Sequence, residues 1–279
     1  MQQPALLPST RTLPMEPRLA VEEMHRLGFS HVEVNYASFI HTGLDYPSYP
    51  NVLRLTLLQA LRAGLQVPVI HAPWEEYFLP YLGRGVDAAV KEAALIAEIA
   101  SSYGVETMVL HPFSKRRLGS GRAWWLNKMF FSLLAQRIEQ EGLGLTVAVE
   151  NTSRAAPWSS VEETRRLVEA AGSPRLALCL DFGHAGINGY QPGDALEAAG
   201  PLTRCLHIHD NNGAADEHLV PGCGSLNWET LAGRQASAAG LRYGIVEVDC
   251  RAPPGPCRGR LRVAYEASRL LLGRVIEFK

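Results

Sequence analysis

The stretch Cys205–Trp228 concentrates side chains able to bind a metal ion. His207, His209 and Asp210 lie on or just after a short apolar segment, and Asp216 and His218 follow in a polar loop, five such groups within twelve residues. Imidazole nitrogens mixed with carboxylate oxygens suit Zn²⁺, Mn²⁺, Co²⁺ or Fe²⁺, whereas Mg²⁺ and Ca²⁺ prefer oxygen alone. A turn containing Pro221, Gly222 and Gly224 closes the stretch. Asn227 or Ser225 is then placed to cap a helix expected over Trp228–Ala239.

Such a cluster needs elements to hold it, and the flanking pattern supplies them. Strand-length apolar runs are expected at Ala5–Pro8, His31–Asn35, Val67–His71, Thr107–His111, Leu145–Glu150, Leu176–Asp181, Arg204–His209 and Tyr243–Val248. The first is the weakest, because it is flanked and ended by proline. Helical patterns alternate with them over Pro17–Leu27, Asn51–Ala63, Val86–Tyr103, Arg122–Glu141, Ser160–Ala171, Pro192–Ala199, Trp228–Ala239 and Arg260–Leu272. Loops rich in Pro, Gly and aromatics (Tyr36–Pro50) or in basic residues (Pro112–Arg122) fill two of the gaps. Eight β-then-α units predict an α/β protein, a (β/α)8 TIM barrel in one domain over residues 1–279. An open doubly wound sheet is the alternative, but no Gly-rich turn follows the first strand.

Barrels place their chemistry at the C-terminal strand ends. His71, His111, Glu150, Asp181, His207 and Glu247 fall there, His184 follows Asp181 by three residues, and Asp216 and His218 sit in the loop after strand seven. Singly, each reads as an ordinary hydrogen-bonded loop residue. Together the nine would converge on one mouth, where carboxylates so close could not all stay ionised without cations among them.

The sequence resembles the xylose isomerase-like barrel superfamily, which includes sugar and sugar-phosphate isomerases and epimerases and the endonuclease IV type of abasic-site nuclease. The resemblance covers nearly the whole chain. It rests on Ile-His-Ala-Pro (70–73), Leu-His-Pro (110–112), Val-Glu-Asn-Thr (149–152), Leu-Asp-Phe-Gly-His (180–184), His-Ile-His-Asp (207–210), Asp-Glu-His-Leu-Val-Pro-Gly-Cys-Gly (216–224) and Glu247.

For the isomerase and epimerase branch, the resemblance implies one divalent ion held by Glu150, Asp181, His207 and Glu247. Glu150 and Glu247 would face each other across the sugar, one removing and one returning a proton next to a carbonyl, through a metal-stabilised enediolate. His184 would hydrogen-bond a substrate hydroxyl. For the nuclease branch it implies three ions, with His71, His111, His184, Asp216 and His218 as further ligands, acting on a phosphodiester of abasic DNA. A barrel that binds a metal or ligand without catalysis is a third class. Gly-Phe-Ser-His-Val-Glu-Val (28–34), with Glu33 pointing into the mouth, and the Ile-His-Asp-Asn-Asn-Gly segment are typical of the isomerase-like members. Few basic residues lie in the other strand-end loops, where a nuclease must grip the backbone. The expected cofactor is therefore a divalent ion (Zn²⁺ or Mn²⁺, with Co²⁺ or Fe²⁺ as alternatives), one to three per chain. The expected substrate is a small sugar or sugar phosphate, with nucleic acid only under the second reading.

Other residues fit around that picture. Lys115 and Arg116, with Arg117 and Arg122, are placed to clamp a phosphate, contact DNA, or simply solvate a loop. Trp74 could cover a sugar ring, wedge into DNA or serve as an ordinary core or rim aromatic, while Trp124 and Trp125 read as packing residues. His41, Tyr46 and Tyr49 lie on the loop after strand two and could reach substrate. His209 reads as substrate-binding or as orienting a ligand from behind, and Asp210 as doing the latter. His25 and His31 are assigned nothing.

With 279 residues and 47% hydrophobic content, the chain can bury a large core. A net charge of −1 gives no overall pull toward nucleic acid or anionic lipid. No apolar run reaches membrane-spanning length, and the first residues show no secretion signal. Five cysteines at scattered spacing do not suggest a disulfide framework, so the expectation is a cytoplasmic protein in which Cys250 and Cys257 stay unpaired. A homo-oligomer is expected by analogy with the isomerases it resembles.

Overall fold

The computed structural model of the chain describes residues 3–40, 49–153, 160–234, 237, 239–273, 276 and 278. Eight strands run β1 (Ala5–Pro8), β2 (His31–Asn35), β3 (Gln66–His71), β4 (Thr107–Leu110), β5 (Thr146–Glu150), β6 (Leu176–Asp181), β7 (Thr203–Ile208) and β8 (Tyr243–Val246). All pair in parallel in the order β1-β8-β7-β6-β5-β4-β3-β2. A parallel bridge between Ser9 and Glu33 closes the seam between β1 and β2. There Thr10 Oγ1 accepts from the Asn35 backbone and from Ser38 Oγ, each at 2.9 Å. The chain is therefore a TIM barrel, and the strand that looked weakest in sequence is its closing stave.

Helices cover the outside: α1 (Pro17–Arg26), α2 (Ala37–Ile40), α3 (Tyr49–Arg62), α4 (Glu75–Leu82), α5 (Val86–Ser102), α6 (Lys115–Leu118), α7 (Ser120–Gln140), α8 (Val161–Ala171), α9 (Phe182–Ile187), α10 (Pro192–Ala199) and α11 (Pro254–Leu272). Their ends follow local chemistry. In α8, Ser160 Oγ accepts from the Glu163 backbone at 3.0 Å, and Gly172 ends the helix in the left-handed region at φ 65°.

Strand periodicity explains how the core and the mouth are built together. Val69, Val109, Ala148, Cys179, Cys205 and Ile245 face into the barrel as one buried layer. Two residues later on the same faces come His71, His111, Glu150, Asp181, His207 and Glu247. The residues between them, Ile70, Leu110 and Val149, Leu180, Leu206 and Val246, point outward into the two buried clusters that contact the helices. Burial on both faces is why these strands read as continuous apolar runs.

Four expectations change. The helix expected over Trp228–Ala239 is a 3-10 turn at Trp228–Leu231, with Asn227 Oδ1 accepting from the Glu229 backbone at 3.2 Å, and no longer helix occurs among the described residues there. The glycine at 233 (φ 81°) interrupts that run. The basic loop is helical from Lys115, because Ser114 Oγ caps it at the Arg116 backbone. Cys250 and Cys257 form a disulfide, since the turn into α11 brings two residues seven apart face to face, whereas Cys179 and Cys205 remain buried thiols. Trp125 is 67% exposed, with Lys128 Nζ over its ring, and is not a packing residue. His41 and Tyr46 lie outside the described residues, and Tyr49 is buried in an aromatic cluster with Tyr36, Phe39 and Tyr77.

Candidate metal centre

Glu150, at the end of β5, is the hub. Its Oε2 lies 3.1 Å from both His71 Nε2 and His111 Nε2, and its Oε1 lies 3.3 Å from His207 Nδ1. The same His207 nitrogen is 3.6 Å from Asp181 Oδ2 and from Glu247 Oε2. A further knot forms where His184 Nε2 and His218 Nε2 each approach Asp216 Oδ2 to 3.2 Å. All nine side chains expected at the mouth are thus brought together.

Hydrogen bonding at the far side of each ring fixes which nitrogen is presented. His71 Nδ1 contacts the Ala72 carbonyl at 2.8 Å, His184 Nδ1 the Asn151 carbonyl at 3.0 Å, and His218 Nδ1 the Glu247 carbonyl at 3.0 Å. A carbonyl can only accept, so each Nδ1 carries the proton and donates it. In the neutral ring each Nε2 is then a lone pair facing a carboxylate oxygen, a contact that only a proton or a cation can make attractive. His207 has no hydrogen-bond partner on either ring nitrogen although it is fully buried, and Glu33 Oε1 is likewise unpartnered. Buried polar atoms are rarely left so. Triads such as His71–His111–Glu150 and Glu150–Asp181–His184 hold ligand atoms within 4.8 Å of one another. The residues fit a divalent cation.

Burial and the neighbouring charges pull on these groups in opposite directions. Burial opposes charge on His184, but Asp181 and Asp216 outweigh it and hold the ring well above its ordinary range. Burial likewise opposes charge on His207, and Glu247 and Glu150 raise it well above that range. Glu150 is pushed up by burial, yet His207 and His111 bring it well below the usual carboxylate range. Asp181 and Asp216 are held low mainly against burial by His184. His218 goes the other way, lowered by burial and by His209 and Arg11.

Loop construction around strand seven explains how this density of polar groups is supported. Asp210 does not face the mouth. Its Oδ2 accepts from the Gly222 backbone at 2.9 Å and from Trp228 Nε1 at 3.0 Å, and its Oδ1 accepts from the Asn211 and Leu226 backbones at 2.9 and 3.2 Å. That one carboxylate folds the loop 211–228 back on itself. A Cβ at Gly224 would come within 2.2 Å of Asp210 Oδ1, so glycine is required there. His218 sits at φ 45°, a strained region for a non-glycine residue. Its Nδ1 bond to Glu247 and the Asp249 backbone N–H donating to its carbonyl at 3.0 Å hold it there.

The remaining candidates separate. Trp74 lines the cavity of about 270 Å³ above the cluster, along with His111, Glu150, His184, Asp216 and Glu247. His209 is fully buried behind the ligands, with Nε2 3.0 Å from Asp181 Oδ2 and its ring stacked 3.8 Å from His218. It packs against Asp181 and His218 and does not line the cavity. Glu33 is also fully buried, beside Asn35 and 3.8 Å from His207 Nε2, so it does not form the cavity wall. Burial, then Glu247, pushes its carboxyl up to about 7. Lys115 pairs with Glu163 at 2.5 Å and lines a separate groove between α7 and α8, while Arg116 is exposed outside the cavity. Arg117 is bound by Glu75 and Glu76 at 3.2 and 3.0 Å. Lys115 and Arg117 are therefore paired with neighbouring acids, and neither they nor Arg116 line the mouth cavity.

Arg11, Ser114 and Ser153 also line the cavity, none of them singled out from sequence, as does Thr152 of the Val-Glu-Asn-Thr motif. The one available signal for Arg11 was its place three residues past β1. Asn35 was missed too. Its Nδ2 donates to Glu247 Oε1 at 2.5 Å and so orients that carboxylate.

A parallel eight-stranded barrel with a histidine–carboxylate cluster at its C-terminal mouth defines a TIM barrel whose candidate site could hold a metal ion. The chain belongs to the xylose isomerase-like TIM barrel family, whose model matches residues 21–242. It is 34% identical over 242 residues to an uncharacterized protein of Sinorhizobium fredii, covering 77% of this chain and 75% of the relative. It is 29% identical over 194 residues to an uncharacterized protein of Methanocaldococcus jannaschii, spanning 67% of this chain but only 65% of that relative's length. Among solved structures, a D-tagatose 3-epimerase-like protein matches at TM-score 0.73 and 21% identity, covering 97% of this chain and 96% of that one. The IOLI protein, solved with a bound zinc atom, matches at 0.72 and 15%, covering 98% and 100%. An AP endonuclease, family 2, from Brucella melitensis matches at 0.69 and 17%, covering 92% and 96%. At these identities the structural likenesses establish the fold alone.

Proposed function

We propose that the chain is a divalent-metal-dependent isomerase or epimerase of a sugar or sugar derivative. The observation that carries the reading is the placement of Glu150 Oε1 and Glu247 Oε2 at 3.3 and 3.6 Å from one nitrogen of His207, both on the wall of a cavity of about 270 Å³. That volume lies just below the span of about 300–1,000 Å³ that suits drug-sized ligands, so a monosaccharide is a better fit than a polymer. Glu150, Asp181, His207 and Glu247 would hold the cation, which when bound supplies a Lewis acid for a substrate carbonyl and its neighbouring hydroxyl.

The protein's own groups would move the proton. Glu247 has one oxygen anchored by Asn35 and the other turned toward His207, whereas both oxygens of Glu150 face histidines. Glu247 is thus the less committed base, and Glu150 the partner that returns the proton to the enediolate from the opposite carboxylate. Return to the same carbon gives epimerisation, and return to the neighbour gives isomerisation. His184 would hydrogen-bond a hydroxyl, and Trp74 would cover the ring. Incubating ketoses with the metal-loaded protein in D₂O tests the reading: solvent deuterium should appear at the carbon next to the carbonyl. No incorporation across a panel of neutral and acidic sugars refutes it.

A second reading, phosphodiester hydrolysis at a multinuclear centre, is favoured by the ligands left over after the first four: His71 and His111 on Glu150, and His184 and His218 on Asp216. Neutralised Lys115 and Arg117 and the acidic rim of Glu75 and Glu76 weigh against a nucleic-acid groove. Three ions per chain, with cleavage of a duplex containing an abasic site, would select it.

A further inference from the structure

The first strand brings to the cavity a cation that the metal chemistry does not use. Arg11 lines the wall with His218 and Glu247 and is the only lysine or arginine among the described residues forming it. Its Nε donates to Asp249 Oδ1 at 2.8 Å, and its two terminal amino groups carry no hydrogen bond within the described residues. Asp249 is itself held firmly. It lies two residues after Glu247, its backbone N–H donates to the His218 carbonyl, and the next residue, Cys250, is tied to Cys257. One edge of the guanidinium is therefore fixed, and the other is left open.

An arginine needed only to balance Asp249 would be expected to use its paired fork, the geometry in which guanidinium and carboxylate bind most strongly. Here a single Nε contact serves as an anchor, leaving the terminal donors for something else. The side chain keeps 18% of its surface exposed where it lines the cavity, so these terminal donors are open to a ligand there. Planar donors on a rigid support match a carboxylate or a phosphate. Neither Lys115 nor Arg116 can play this part, since neither lines the cavity.

We propose that Arg11 receives an oxyanion carried by the substrate and biases the site toward acidic sugars, with Asp249 as its positioning residue. The proposal rests on the isomerase or epimerase reading for the identity of the ligand as a sugar, but its test does not require turnover. Titration calorimetry of the metal-loaded protein with D-fructose, D-fructose 6-phosphate and D-glucuronate separates a neutral sugar from the phosphate and carboxylate forms of the same chemistry. The expected result is that at least one acidic sugar binds tenfold or more tightly than D-fructose. Arg11→Gln should remove that advantage while leaving D-fructose binding within twofold. Arg11→Lys should keep part of it, as charge without the fork, and Asp249→Asn should lose part of it. Equal binding of neutral and acidic sugars by the unaltered protein overturns the proposal, as does a loss in Arg11→Gln that falls equally on both. If Arg11→Gln does not fold by circular dichroism, Arg11→Lys decides by the same comparison. Absence of deuterium exchange would sink the isomerase reading while leaving this preference measurable.

Discussion

Gly183→Ala sets two physical effects against each other. Gly183 lies in α9, where alanine is the better helix former by about 1 kcal/mol. Helix propensity alone predicts a small gain in stability. Packing predicts the reverse, because a Cβ there would stand 1.9 Å from His209 Cε1 and 2.3 Å from Nδ1. Ordinary carbon contacts lie at about 3.5–4.0 Å, so the ring must retreat by roughly 1.5–2 Å. That displacement carries Nε2 out of hydrogen-bond range of Asp181 Oδ2, now at 3.0 Å, and disturbs the stack on His218. Loss of a group that orients a metal ligand typically weakens metal affinity by about 10–100-fold, or about 1.4–2.7 kcal/mol. Overpacking adds about 1–3 kcal/mol of destabilisation, which outweighs the propensity gain. Chelator competition measures the affinity and thermal unfolding the stability. His209→Ala supplies the control, since adding Gly183→Ala to that background displaces no ring and should cost less than about twofold in affinity. Affinity within twofold of the parent in the single variant, or the same penalty in both backgrounds, would refute the reasoning.

Other outcomes are expected from the same structure. Glu33→Gln should raise the melting temperature of metal-free protein above pH 7. The folded carboxyl is raised to about 7 from 4.5, so it withdraws stability as pH climbs through that window, by at most about 3 kcal/mol, and the difference should vanish below pH 4.5. Asp210→Ala leaves the Gly222 and Leu226 backbones and Trp228 Nε1 without their acceptor and should cost about 3 kcal/mol or more, read as a lower melting temperature and as proteolysis within the loop 211–227. Glu150→Gln should keep the fold and lower kcat at least about 100-fold, the scale of losing a positioned acid–base group, and near-normal turnover would remove Glu150 from the chemistry. His111→Ala should reduce the number of ions bound per chain if a multinuclear centre forms, and should change a mononuclear isomerase only modestly in deuterium exchange.

Much of this architecture was legible before any fold was drawn. Parallel strands buried on both faces read as short apolar runs, and the alternation of those runs with helical patterns gave the barrel. In the folded barrel the period of two links core to mouth: a residue two positions beyond an inward-facing Val69, Ala148, Cys179, Cys205 or Ile245 faces inward too. His71, Glu150, Asp181, His207 and Glu247 were named from their places at strand ends and from the family resemblance, and the period of two explains why they meet around one hub.

What escaped the sequence depended on contacts between distant segments, which leave no local periodicity to read. Arg11 and Asp249 are 238 residues apart and pair only because closure of the barrel sets β1 beside β8. The basic run was open to reading as a phosphate clamp, a DNA contact or a solvated loop, and only the fold shows Glu75, Glu76 and Glu163 of α4 and α8 pairing with Lys115 and Arg117. Glu33 shares its strand face with the mouth, yet Asn35 and His207 cover it. The strands, with their regular geometry, could be deduced residue by residue. The loops could not, because the conformation of a loop is set by which partners the closed barrel brings within reach of it.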